Sequence, residues 1–239
     1  MDSIVLHRAE TRGSADHGWL KAKHTFSFAG YMDPQRIHFG ALRVLNDDIV
    51  AGGRGFGTHP HDNMEIITIP LKGALEHKDN TGGHGVIRAG DVQVMSAGTG
   101  VLHSEYNHSP TEEVNLLQIW VFPAVKGVKP RYDQRFFGPE QRKNAFQLIV
   151  GPMGSGALEI HQNAWFSRID LDASKSISYP LYKPNSGLYV FIIDGTVSAN
   201  QLKLTSRDGA GFSTLENGTL ELNALTDSKI LLMEVPMRW

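Results

Sequence analysis

Glycine, proline and Asx-rich turns punctuate this chain about every eight to twelve residues, and nothing between them sustains a helical period. Such spacing leaves room for strands and for little else, so it predicts an all-β fold of the sandwich or barrel kind. Strands are expected over residues 39–45, 58–71, 92–95 and 116–122, then over 166–171, 188–193, 197–204, 220–225 and 230–235. The apolar run from Ser3 to Leu6 reads as an outer strand. His24, Phe26 and Phe28 share one parity of a further strand, with His24 either a polar neighbour in the core or a wall of a pocket. One short helix is expected at 139–146, with Pro139 in its first turn, inside a proline-punctuated connector.

The chain also echoes itself. The run Ile66 to Leu75, turning at Gly73, is answered by Tyr189 to Val197, turning at Gly195; Gly90 to Ser96 is answered by Asp208 to Ser213. A duplicated β fold follows, divided into an N-terminal domain 1–135 and a C-terminal domain 136–239. Counting from Gly73 and Gly195, His59 and His61 fall opposite Leu181 and Lys183, and no histidine follows His161. Only the first half can carry an imidazole site, so one metal per chain is expected.

Composition closes several alternatives. With 239 residues and 41% apolar side chains, the chain can bury a sizeable core. Its 23 basic and 25 acidic residues leave no charge excess for direct nucleic-acid binding. The absence of cysteine excludes disulfides, thiolate nucleophiles and sulfur-ligated metals. The N-terminus lacks a secretory apolar core and no run approaches membrane-spanning length, so the expectation is a cytoplasmic protein with no membrane partner. A monomer is expected, since a chain of two such halves can bury its own sheet faces. Gly52 to Gly57 is glycine-rich, yet it has no Gly-Lys-Ser/Thr ending and opens no helix, so it is not a phosphate loop.

The chemistry concentrates between Gly53 and Asn107. His59-Pro60-His61 and His103-Ser104-Glu105 each put two metal-ligand types at i and i+2, on one face of an extended strand. Two such strands can meet around one divalent ion. Three imidazoles and a carboxylate suit Fe(II), Ni, Co, Mn, Cu(II) or Zn, and four ligands in an octahedral shell leave two positions open. If the strand through 59, 61 and 63 runs on unbroken, Glu65 faces the same way. Geometry therefore leaves Glu65 and Glu105 as rival carboxylates.

These residues resemble a known family. Gly53, His59-x-His61, Glu65 and Gly73 are similar to the first cupin motif, and Gly90, Gly100, His103 and Asn107 to the second. The runs FGALRVLNDD, GFGTHPHDNMEI, MSAGTGVLHSEYN and PRYDQRFF resemble the pirin family, specifically its bacterial bicupins of quercetin 2,3-dioxygenase type. The resemblance is close to about residue 140 and looser beyond. It implies two jelly-roll-like barrels in tandem, the second without metal ligands. It also implies that His59, His61, His103 and Glu105 hold one divalent metal, Fe(II) foremost, leaving Glu65 a supporting role. His24 and His77 remain wall residues. The implied activity is cleavage of a flavonol-like aromatic substrate by O2 with release of CO, Glu105 taking the proton of the flavonol hydroxyl. Two other functions remain open: the metal-dependent regulatory binding of eukaryotic members, and catalysis on an unrelated small metabolite.

Overall fold

A computed structural model describes residues 4–239. The first half contributes β1 (Ile4–His7), β2 (Gly13–Asp16), β3 (Leu20–His24), β4 (Leu42–Val50), β5 (Gly55–His61) and β6 (Glu65–Lys72). It continues with β7 (Ala74–Asp79), β8 (His84–Arg88), β9 (Asp91–Ser96), β10 (Val101–Asn107), β11 (Val114–Val121) and β12 (Arg131–Phe136). The second half holds β13 (Gln147–Pro152), β14 (Leu158–Ile160), β15 (Trp165–Leu171), β16 (Ser176–Pro180) and β17 (Ser186–Asp194). It ends with β18 (Thr196–Ala199), β19 (Leu202–Thr205), β20 (Gly209–Phe212), β21 (Thr219–Ala224) and β22 (Ser228–Pro236).

The halves repeat one plan. A seven-stranded sheet in the order β12-β9-β6-β11-β4-β3-β2 is matched by β1-β20-β17-β22-β15-β13-β14. Each is accompanied by a four-stranded sheet, β5-β10-β7-β8 in the first half and β16-β21-β18-β19 in the second. Gly73 and Gly195, at φ 76° and 94°, make the equivalent turns into β7 and β18. The fold is an all-β bicupin. The edge places held by β12 and β1 correspond, so the N-terminal strand completes the sheet of the second half by pairing with β20. Ser3, expected in that strand, lies outside the described residues.

Alternation decides where each strand buries its side chains. Ile67 and Ile69 on β6, Val92 and Val94 on β9, and Leu117, Ile119 and Val121 on β11 form one cluster with Phe166, Phe191, Leu231 and Met233 of the second half. The two large sheets therefore pack face to face, and this shared core joins the halves. The opposite faces line the two barrels. The second interior is a continuous apolar cluster that includes Tyr179, Leu188, Val190, Leu220 and Leu222. The first interior is split into two smaller clusters, one around Leu20, Ala22 and Leu116 and one around Ile66, Met95 and Val101.

Four sequence expectations change. The strand expected over 197–204 folds back as a hairpin, β18 and β19 turning at Asn200 and Gln201 with φ of 43° and 69°. The strand expected over 58–71 breaks at Asn63, whose φ of 42° turns the chain from the small sheet into the large one. The strand through His24 stops there, so Phe26 enters the shared core while His24 does not. The short helix contracts to a 3-10 turn, Pro139–Arg142. No helix among the described residues is long and apolar enough to cross a membrane.

Candidate metal centre

The centre is built on β5, β10 and β7. β10 lies between the other two, pairing His103 with His59 on one side and Glu105 with His77 on the other. Its side chains alternate strictly: Val101, His103, Glu105 and Asn107 are buried, whereas Leu102 and Tyr106 are exposed. Past His59 the pairing slips, so that Phe56 rather than Gly57 faces Glu105. This bulge draws β5 tightly onto β10, and Gly55 fits there because a Cβ would meet the Glu105 carbonyl oxygen at 2.3 Å.

His59, His61 and His103 bring one ring nitrogen each within 4.8 Å of one another. The Nε2 atoms of His59 and His103 are 3.0 Å apart, and the His61 ring packs against Trp120 with centroids 4.9 Å apart. His59 Nδ1 is 2.8 Å from the Gly57 carbonyl, to which it donates, so its Nε2 is left as the ligand atom. Burial, with the neighbouring imidazoles, pulls His61 down to about 4 and His103 down to about 3. Both rings are therefore neutral at pH 7, the form that binds a metal.

Glu105 belongs to a second, overlapping group with His77 and His103, its carboxylate within 4.8 Å of their ring nitrogens. One oxygen, Oε2, accepts from Gln118 Nε2 at 3.0 Å, and Gln118 Oε1 accepts from the Thr68 hydroxyl at 2.9 Å. The other oxygen, Oε1, is buried without a hydrogen-bond partner among the described residues. Burial pushes this carboxyl up to about 7. A cation beside Oε1 would satisfy both the lone pairs and the charge, so neutral imidazoles and an unpartnered carboxylate make a donor set that fits a divalent transition metal.

Glu65 is elsewhere. The turn at Asn63 gives it the parity of Ile67 and Ile69, toward the shared core, and its Oε2 accepts from the Ser96 hydroxyl at 2.7 Å. The premise of an unbroken strand fails, and with it the reason for placing Glu65 among the imidazoles. His77, read in the sequence as a wall residue, is fully buried at the middle of the second group. Its signal was present as His77-Lys78-Asp79, a third i, i+2 pair of ligand types on the next strand. His77 Nε2 lies 3.0 Å from Asp79 Oδ2, and its Nδ1 lies 3.5 Å from His103 Nδ1.

A small inner chamber of about 90 Å³ adjoins the cluster, walled by His59, His61, Glu105, Gln118, Asp48, Leu116, Trp120 and their neighbours. Leu20, Ala22, His24, Phe28 and Phe56 wall this chamber and also an outer cleft of about 720 Å³ that adds Trp19, Tyr31 and His17. His24 is thus both buried and a wall residue, held by Asn46 Oδ1 at 3.0 Å from its Nδ1. Asp48 is pushed up to about 7 by burial, with Asp47 and Glu105 adding repulsion.

The second barrel has no counterpart. Pairing β21 with β18 and β16 puts Leu222 at the position of Glu105, Leu220 at that of His103 and Tyr179 at that of His59. The straight count to Leu181 and Lys183 is therefore two residues out. The link from β16 to β17 spans 181–185, while that from β5 to β6 spans only 62–64. With apolar side chains at these places, the interior closes as ordinary core.

Comparison with known proteins agrees with this architecture. The family model described as Pirin matches residues 6–121, and that described as Quercetinase C-terminal cupin domain matches 148–235. The chain is 42% identical to a quercetin 2,3-dioxygenase of Escherichia coli over 98% of this chain and 99% of that one. It is also 42% identical to a pirin-like protein of Caulobacter vibrioides over 93% and 95% of the two chains. Among solved structures, the bacterial pirin YhhW of Escherichia coli in complex with nickel(II) superimposes with a TM-score of 0.91 at 40% identity, covering 98% of this chain and 99% of that one.

Proposed function

This chain belongs to the pirin family, and from that premise we propose that it is a metal-dependent dioxygenase cleaving quercetin-like flavonols with O2 and releasing CO. His59, His61, His103 and Glu105 would hold one divalent transition metal. Nickel, bound by the YhhW structure, and Fe(II) are the first ions to test. When bound, such an ion supplies a Lewis-acidic centre with open positions for substrate and dioxygen.

The chain's own groups account for the rest. Glu105 would take the proton of the flavonol hydroxyl, as the one carboxylate on the chamber wall that is grouped with the imidazoles. Gln118, anchored by Thr68, stops that carboxylate from turning away. Phe28, Leu116 and Trp120 provide apolar walls that keep water from the reacting ring.

The observation that carries this reading is that the inner chamber and the outer cleft lie against one another, sharing Leu20, Ala22, His24, Phe28 and Phe56 as lining. A flat, multi-ring substrate entering by that cleft would pass these largely apolar side chains to bring one oxygenated edge to the imidazoles. Taken alone, the inner chamber's small volume favours a second reading, a compact metabolite held entirely inside.

The test is anaerobic purification with metal analysis, reloading with Fe, Ni, Co, Mn or Cu, and aerobic quercetin absorbance decay with CO detection. Decay in step with metal loading supports the flavonol reading. Failure with every ion at full occupancy would leave the regulatory-binding and small-metabolite readings in its place.

A further inference from the structure

Three buried polar atoms on the walls of the inner chamber have no hydrogen-bond partner among the described residues: Glu105 Oε1, Asp48 Oδ1 and Trp120 Nε1. The metal reading absorbs the first and leaves the other two unexplained.

Asp48 is the more telling. It follows Asp47 on β4, and alternation sends the two carboxylates to opposite faces. Asp47 is fully engaged, with Arg12 at 3.6 Å, Arg207 at 3.4 Å and Asn115 Nδ2 at 2.8 Å. Asp48 shares its face with Asn46, but Asn46 is already taken by His24. Across the sheet its register partners are Leu116 and Ala22, which offer no side-chain donor. A carboxyl in such surroundings is costly to bury, and a leucine or valine would pack there at less cost. Its shortfall is one a ligand can make good.

We propose that Asp48 determines specificity in this chamber by exchanging a hydrogen bond with a phenolic hydroxyl of an aromatic ligand. Trp120 Nε1 then offers a donor to an oxygen of the same ligand. The proposal rests on the functional reading above only in taking the chamber as the substrate site. It adds that a phenolic hydroxyl other than the one at the metal is recognised, and that Asp48 recognises it.

The test is ligand binding without turnover. Nickel-loaded wild type and Asp48→Leu are titrated anaerobically with quercetin, 3-hydroxyflavone and flavone, followed by tryptophan fluorescence. The expected result is that Asp48→Leu lowers the preference for quercetin over 3-hydroxyflavone by about tenfold or more, while 3-hydroxyflavone and flavone affinities stay within about twofold. Nickel stoichiometry should be unchanged and the melting temperature equal or higher, because an apolar group replaces an unpartnered polar one. A preference for quercetin over 3-hydroxyflavone that survives in Asp48→Leu, or a loss of nickel, overturns the proposal. Should the leucine not be accommodated, Asp48→Ala carries the same ligand comparison. Because binding is read anaerobically, an absence of flavonol turnover in wild type would defeat the functional reading without touching this result.

Discussion

The Nε2 atoms of His59 and His103 face one another at 3.0 Å across the pairing of β5 with β10. Two neutral imidazoles hold that geometry only with a proton or a cation between them, and His61 sits close enough to share the cation. Replacing His59 or His103 by alanine should therefore abolish stoichiometric nickel or iron binding. The loss should exceed the about 10–100-fold that removal of a supporting hydrogen bond costs. Elemental analysis after dialysis checks it.

Asp79 should act on the metal without touching it. Its Oδ1 accepts from Thr81 N at 2.7 Å and Gly83 N at 2.9 Å, which locks the side chain; against burial, these bonds and the one to His77 hold the carboxyl below its usual pKa. With Oδ2 an acceptor, His77 carries its proton on Nε2 and accepts at Nδ1, so His103 donates from Nδ1 and keeps a lone pair on Nε2. Asp79→Asn removes the charge that sets this order. We expect about 10–100-fold weaker metal affinity with the fold retained, read by competitive titration against a chelator.

The two rival carboxylates are separable by one matched pair of variants. Glu105→Gln should keep much of the metal yet lose most turnover, because an amide cannot take the substrate proton. Glu65→Gln should leave both unchanged and alter stability by about 1 kcal/mol through the Ser96 contact. Undiminished turnover in Glu105→Gln would sink the general-base role.

Metal affinity should depend on pH through Glu105 rather than through the imidazoles that titrate low. His61 and His103, held at about 4 and about 3, are already neutral at pH 6 and release nothing. Glu105, raised to about 7 in the metal-free protein, is largely protonated at pH 6 and must lose that proton on binding. Affinity should then fall as the pH drops below 7, levelling off near that of Glu105→Gln, with proton release on binding at pH 6. Calorimetry in buffers of different ionisation enthalpy measures the release directly.

Gly55 is a structural test of the bulge. An alanine Cβ there would lie 2.3 Å from the Glu105 carbonyl oxygen and 2.5 Å from Tyr106 Cα, both backbone atoms that cannot swing aside. Gly55→Ala should cost about 1–3 kcal/mol in chemical denaturation and weaken metal binding by moving β5 off β10.

How far the sequence reached follows from which interactions are local. Turn residues and alternation are properties of neighbours along the chain, and they sufficed for the all-β class, the duplication around Gly73 and Gly195, and the inward parity of His59, His61, His103 and Glu105. Pairing is not local. Sequence alone could not tell that Asn63 breaks a strand, that the link over 181–185 is longer than its counterpart, or that β7 lays His77 beside Glu105. It could not tell that β1 closes the other half's sheet. Each of these depends on which backbone groups find partners far away in the chain, and side-chain direction at Glu65 and Asp48 follows from that pairing. The ligand types were therefore legible in the sequence. The resemblance singled out Glu105 of the two carboxylates, while the tertiary fold decides which of them lies beside the imidazoles and that Asp48 faces the same chamber.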